Sequence, residues 1–283
     1  LTLRATNHIF VHERIGTDHD ELSLDVILEA ADFDQPELPN EDGEIYNYFQ
    51  GDLVLDAPIT THGGNVQLTG AGVQLADAAD ITTEGGDIEI YAGGSTLRVE
   101  STLDSCLVAG CSSGEDETGG NVTLAASYPA DLMQALGEYV KGSGQVELLP
   151  GHVELADTAR IRSGGGRVSL SAEGDLRLEG SAAIDSAGGS VRLESSIVGF
   201  TTDGVSHLAG GRVETGAGTS ITTGGGALAI LAGTGEVDRE ARIDLAGSLD
   251  TTGSEAGGVG GGIGITLSGR GQPRVAADVT TGG

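Results

Sequence analysis

A glycine pair recurs along this chain, and it constrains the fold more than any other feature. The pair, written Gly-Ser-Gly at Gly144, ends at Gly64, Gly86, Gly120, Gly144, Gly166, Gly189, Gly211, Gly226, Gly261 and Gly283. Successive pairs lie 22, 34, 24, 22, 23, 22, 15, 35 and 22 residues apart. A fixed period of this length is the mark of a repeat architecture, in which each unit covers its apolar face only against its neighbours. The dominant unit is 22 residues; the long spacings read as a unit plus an insertion and the short one as a trimmed unit. Some ~12 coils at about 4.8 Å each would make a rod roughly 60 Å long.

Three stretches show the unit most clearly: NVQLTGAGVQLADAADITTEGG, QVELLPGHVELADTARIRSGGG and RVSLSAEGDLRLEGSAAIDSAGG, at 65–86, 145–166 and 167–189. Each opens with an apolar-x-apolar triplet (Val66 and Leu68, Val146 and Leu148, Val168 and Leu170). A second triplet follows (Val73 and Leu75, Val153 and Leu155, Leu176 and Leu178), then a lone Ile81, Ile161 or Ile184 before the glycines. Alternation at period two means strands with one buried face. Strands this short are unstable alone, but not if each unit is one coil stacked on the next. A sandwich or propeller also has short, evenly spaced strands. A propeller blade, however, needs about 40 residues and usually carries aromatics, which make up 3% of this chain, with no Trp. The expected fold is therefore all-β, a parallel β-helix (solenoid) with about 22-residue coils. Its core should be thin, filled by Val, Leu, Ile and Ala.

The net charge is −29. Nucleic acid needs a basic surface, so it is excluded as an expected partner, and binding to anionic lipid is disfavoured. Such acidity suits salty surroundings or calcium. The two cysteines, Cys106 and Cys111, lie close together in CLVAGC. They read as a small disulfide loop formed in an oxidising compartment, or else as two free thiols; alone they do not complete a zinc shell. The chain opens on an alternating strand, LTLRA, and closes on VTTGG. Residues 1–283 are thus expected to be one continuous β-helix segment of a longer protein. Within it, 1–50 should be less regular coils with an acidic loop, 92–119 a disulfide-loop insertion and 128–143 a helical insertion.

The departures from the repeat hold the candidate binding residues. The loop DFDQPELPNEDGEIYNYF offers Asp32, Asp34, Glu37 and Asp42 as calcium ligands, with Glu41 and Glu44 nearby, although the spacing is not that of an EF-hand. Its Tyr46, Tyr48 and Phe49 could stack on carbohydrate or cover the core beneath. Glu115, Asp116 and Glu117 form a second acidic tip. In YPADLMQALGEYVKG, Pro129 suits a first helical turn and Leu132, Leu136, Tyr139 and Val140 share one helical face. IVGFTTDGVSHLAGG reads as a coil with irregular corners. His8 and His12, four apart on a strand, could begin a metal site or simply sit on the surface. Repeated pairs (Thr60 and Thr61, Thr82 and Thr83, Thr222 and Thr223, Thr280 and Thr281) suggest hydrogen-bonded corners. As an outward water-ordering ladder they would be broken by Arg162-Ser163 and Asp185-Ser186.

No catalytic residues are assigned. No nucleophile elbow, HExxH, P-loop or dinucleotide fingerprint occurs. Paired carboxylates for glycoside cleavage arise by chance among 43 acidic residues, so a polysaccharide-active β-helix stays open as a minor alternative.

The stretches ITTHGGNVQLTG, ITTEGGDIEIYAGG, IRSGGGRVSLSAEGDLRL and ITTGGGALAILAG resemble the repeats of the two-partner-secretion exoproteins, the filamentous-haemagglutinin-like adhesins. LTLRATNHIFVHERI and LSLDVILEAADFD are similar to the same family's coils, so the likeness covers nearly the whole chain. The resemblance implies a right-handed β-helix, export through an outer-membrane secretion partner, and a secreted or bacterial cell-surface destination. The expected role is a non-catalytic stalk or adhesin segment holding binding elements towards a receptor or glycan on a host or neighbouring cell. The alternative is the subunit of a homopolymeric extracellular filament, with end-to-end self-association.

Overall fold

The computed structural model describes residues 1–17, 22–30, 51–93, 95–107, 119–127, 150–196, 211–233, 241–253, 260–268 and 273–282. Their 27 short strands fall into three parallel sheets of nine, and each sheet takes every third strand of the chain. The chain is a right-handed parallel β-helix, in which one rung contributes a strand to each sheet in turn. The first sheet includes Val66–Gly70, Ile88–Ala92, Val122–Ala126 and Val168–Ala172; the second includes Val73–Leu75 and Leu176–Leu178; the third includes Ile81–Thr82 and Ala183–Asp185. No helix occurs among the described residues. The expected helix at 128–143 lies outside them.

Pairing is in register throughout, so like residues stack in columns. Val66, Ile88, Val122, Val168 and Val191 form one inward column and Leu68, Ile90, Leu124, Leu170 and Leu193 the next. The third sheet adds Ile59, Ile81, Leu103, Ile161, Ile184 and Ile221. These side chains are fully or almost fully buried. Each strand has one inward face, and a slip of one residue would turn a whole column to solvent, which is what fixes the register.

The described residues form nine rungs, spanning roughly 38 Å at ~4.8 Å per step, rather than the 12 that length alone suggested. Two units of the repeat are not rungs. Val122 pairs directly with Val168, so no rung lies between them: Val153 and Leu155 supply the second-sheet strand of the rung that Val122 opens. Val146 and Leu148 lie outside the described residues. Gly211 likewise does not open a rung. It precedes the second-sheet strand Arg212–Thr215, and Val191 pairs directly with Leu228. The glycine ruler overcounts because a Gly can end an insertion as readily as it turns a corner.

The corner before the first sheet explains most of the repeat. Gly64, Gly86, Gly120, Gly166, Gly189, Gly226 and Gly261 form a column with no room for a side chain. A Cβ on Gly166 would stand 2.1 Å from the Gly120 carbonyl oxygen, and one on Gly226 would stand 1.9 Å from that of Gly189. Three residues earlier, a buried hydroxyl donates to the column glycine's carbonyl: Thr61 to Gly64 at 2.5 Å, Thr83 to Gly86 at 2.5 Å, Ser163 to Gly166 at 2.6 Å and Ser186 to Gly189 at 2.5 Å. The second threonine of each described internal pair is therefore a corner bond. Its partners Thr60, Thr82 and Thr222 face outwards in a row interrupted by Asp104, Arg162 and Asp185. On the far side of the corner a carboxyl or carboxamide accepts from the next rung's backbone: Asp25 from Asn65, Asn65 from Asp87, Asp87 from Asn121 and Asn121 from Arg167, all within 2.7–2.9 Å.

Candidate functional site

The structure points to one edge of the rod. In the rung opened by Val168, three residues (Glu173, Gly174 and Asp175) carry the chain from Ala172 on the first sheet to Leu176 on the second. That rung is the template for its neighbours. Ala126 pairs with Ala172 and Val153 with Leu176, so Ser127, Gly151 and His152 occupy the three linking positions and 128–150 is additional. Ala172 pairs with Ser195 and Leu176 with Val213, so 197–210 is additional between Ser196 and Gly211. The same reasoning makes 234–240 additional between Gly233 and Ala241. In the rung opened by Val26 the link is two residues, as in the rung above it, and 31–50 is additional between Ala30 and Gly51. The ends already touch there: a Cβ on Gly51 would overlap the Ala30 carbonyl oxygen at 1.7 Å. Four insertions, of 20, 23, 14 and 7 residues, thus leave and rejoin at equivalent points along one edge.

The opposite end of the first sheet carries the other departures, among them the cysteine loop. Cys106 is buried, with 1% of its surface exposed. Its backbone N–H donates to Asp104 Oδ1 at 3.0 Å. Burial pushes the Asp104 carboxyl above its ordinary range, opposed by that hydrogen bond and by Arg162 at 3.9 Å. Cys111 lies outside the described residues, as do Glu115, Asp116 and Glu117 and the candidates Asp32, Asp34, Glu37, Glu41, Asp42, Glu44, Tyr46, Tyr48 and Phe49.

His8 and His12 do share a face, but they do not converge. Phe10 stands between them, its ring 5.9 Å from His8 and 6.2 Å from His12. His8 Nδ1 accepts from the Asp52 backbone N–H at 2.9 Å. That nitrogen therefore carries no proton, and its 3.8 Å approach to the Asp52 carboxylate is no ion pair. His12 Nδ1 lies 2.9 Å from Asp56 Oδ2. Among the described residues no group of three or more His, Cys, Asp or Glu is gathered in a cation-holding set.

Further along this second sheet the outward row is Arg98, Glu154, Arg177 and Glu214. Arg98 lies 3.1 Å from Glu154, and Arg177 bridges Glu154 at 3.6 Å and Glu214 at 3.5 Å. These half-exposed pairs act chiefly as register markers, since isolated surface pairs contribute little.

Comparison of the chain with protein-family models, with curated proteins and with solved structures finds no match. The functional reading therefore rests on geometry. The edge was missed in the sequence because the glycine ruler measures from the wrong corner. No residue signal marks it: VTLAA, VRLESS and LAILAG end the first-sheet strand on small residues ahead of an insertion, but so does VSLSA, which has none.

Proposed function

We propose that this chain is a non-catalytic β-helical rod of a secreted or cell-surface protein, displaying recognition loops from one edge. The observation that carries this reading is the grafting of four insertions at one equivalent point of the rung. On a solenoid, insertions that map to one side are commonly its binding side, and a rigid scaffold bearing variable loops is the usual division of labour in recognition. The adhesin-like repeats and the export route they imply belong to the same reading, with a receptor or glycan on another cell as the partner. A Cys106–Cys111 bridge would hold a further loop in shape, and calcium on the acidic loop 31–50 would do the same.

The test compares the full chain with a trimmed chain lacking 31–50, 128–150, 197–210 and 234–240. Both are applied to an oligosaccharide array and to cultured epithelial cells. The expected result is binding by the full chain, loss of binding in the trimmed chain, and unchanged β-sheet circular dichroism. Equal binding by the trimmed chain, or release of cleaved sugars from the array, would overturn the reading.

A further inference from the structure

The amino-terminal part of the second sheet presents a surface unlike the rest of the rod. Phe10 points outwards from Ile9–Val11 with 58% of its surface exposed, whereas outward apolar side chains of interior rungs, such as Val54 and Leu231, are only partly exposed. The near-parallel His12 ring, at 7°, stacks beside it on one side, and the tilted His8 ring flanks the other. On the next rung Val54 lies beside Phe10, and beyond it comes Gln74. Asp52 and Asp56 bracket Val54 with half-exposed carboxylates. The first cation reached on this face is Arg98, already held by Glu100 at 2.7 Å and by Glu154.

Charge decides what such a face can receive. From residue 15 to residue 97 the sequence contains no Lys or Arg but 18 of the chain's 43 acidic residues. An anionic ligand would be repelled, and a cationic one drawn in by the summed potential. The exposed Phe10 ring adds apolar surface for the aliphatic stem of a Lys or Arg and for an apolar neighbour. Spacing narrows the partner further. Asp52 and Asp56 are four residues apart on extended chain, about 13 Å at ~3.3 Å per residue. An extended peptide has the same repeat, so basic side chains at i and i+4 would meet the two carboxylates while an apolar side chain at i+2 lies on Phe10 and Val54.

We infer that the Phe10–Asp52–Asp56 face is a docking site for an extended, basic segment of a partner polypeptide. It lies on the sheet itself, outside the insertions, so it stands or falls separately from the loop edge.

The experiment titrates the full chain with a synthetic Lys-Thr-Leu-Thr-Lys peptide in calorimetry at low and high salt. Binding should weaken as salt rises. It should fall by roughly tenfold in Phe10→Ala, fall in Asp52→Asn/Asp56→Asn, and remain unchanged in the distant Glu214→Gln. A Glu-Thr-Leu-Thr-Glu peptide should not bind. Phe10 points outwards, so circular dichroism should match the parent; Phe10→Leu, which keeps the apolar contact, should lose less binding than Phe10→Ala. The inference is overturned if Phe10→Ala binds as well as the parent, if Glu214→Gln loses as much as the aspartate pair, or if a chitosan oligomer binds this face more tightly than the peptide.

Discussion

At the scale of single residues, two positions have predictable and opposite behaviour. Gly166 sits in the corner column, where an added methyl would meet the carbonyl of the rung below at 2.1 Å. The neighbour is backbone and cannot move aside. Gly166→Ala should therefore destabilise by roughly 3 kcal/mol, read as a lower denaturation midpoint, whereas Gly188→Ala, where a Cβ meets nothing within 4 Å, should cost only the strain of its positive φ of 111°. Asp104 is the opposite case. Burial raises its folded-state pKa above the unfolded value, so the folded chain holds the proton more tightly. Stability gained from that proton is present at low pH and lost as pH rises through the raised pKa. At neutral pH the ionised carboxylate is thus a liability, and Asp104→Asn, which keeps an oxygen for the Cys106 N–H, should raise the melting temperature at pH 7. The gain should vanish below the ordinary carboxylate range; a gain that persists at pH 3 would show a different cause. The corner chemistry was partly legible beforehand: the threonine pairs implied hydrogen-bonded corners, and alternation on a strand allows only one of each pair to face out. That serine replaces threonine in the same role at Ser163 and Ser186 was not, because a hydroxyl is all the corner requires.

At the scale of strands and links, the triplets named from the sequence that fall among the described residues are strands, and their inward residues are the buried ones; Val146 and Leu148 lie outside them. Period-two alternation survives any insertion, so it reads reliably. Rung count does not, since it depends on knowing which glycine turns a corner and which closes a loop. The candidate edge was invisible for the same reason: equivalence of insertion points is a statement about register, and register is set by the neighbouring rung. It yields a direct prediction. Joining Ser196 to Gly211 restores the three-residue link of the rung below, so removing 197–210 should leave the unfolding free energy within about 1 kcal/mol of the parent. Removing three residues more would shift the strand off its column, and the denaturation midpoint should then collapse.

At the scale of the whole molecule, order along the axis comes from repetition rather than from a central core. Each rung is buried by the rungs on either side of it, and stability is approximately a sum of neighbour terms. A large-to-small change such as Ile81→Ala opens a cavity local to its own and adjoining rungs, and should cost about 2–5 kcal/mol without altering rungs far from it.

The unequal spacing of equivalent residues has a mechanical meaning. Ile88 follows its counterpart Val66 after 22 residues, but Val168 follows Val122 after 46. If the molecule is held at its two extremities and stretched, it should peel turn by turn, each event releasing as much thread as that turn has stored. At about 3.5 Å per residue, one turn would give way with a step of roughly 77 Å and another with roughly 160 Å. A single-molecule trace should show this irregular staircase, with the longest treads at the turns that carry the most surplus chain.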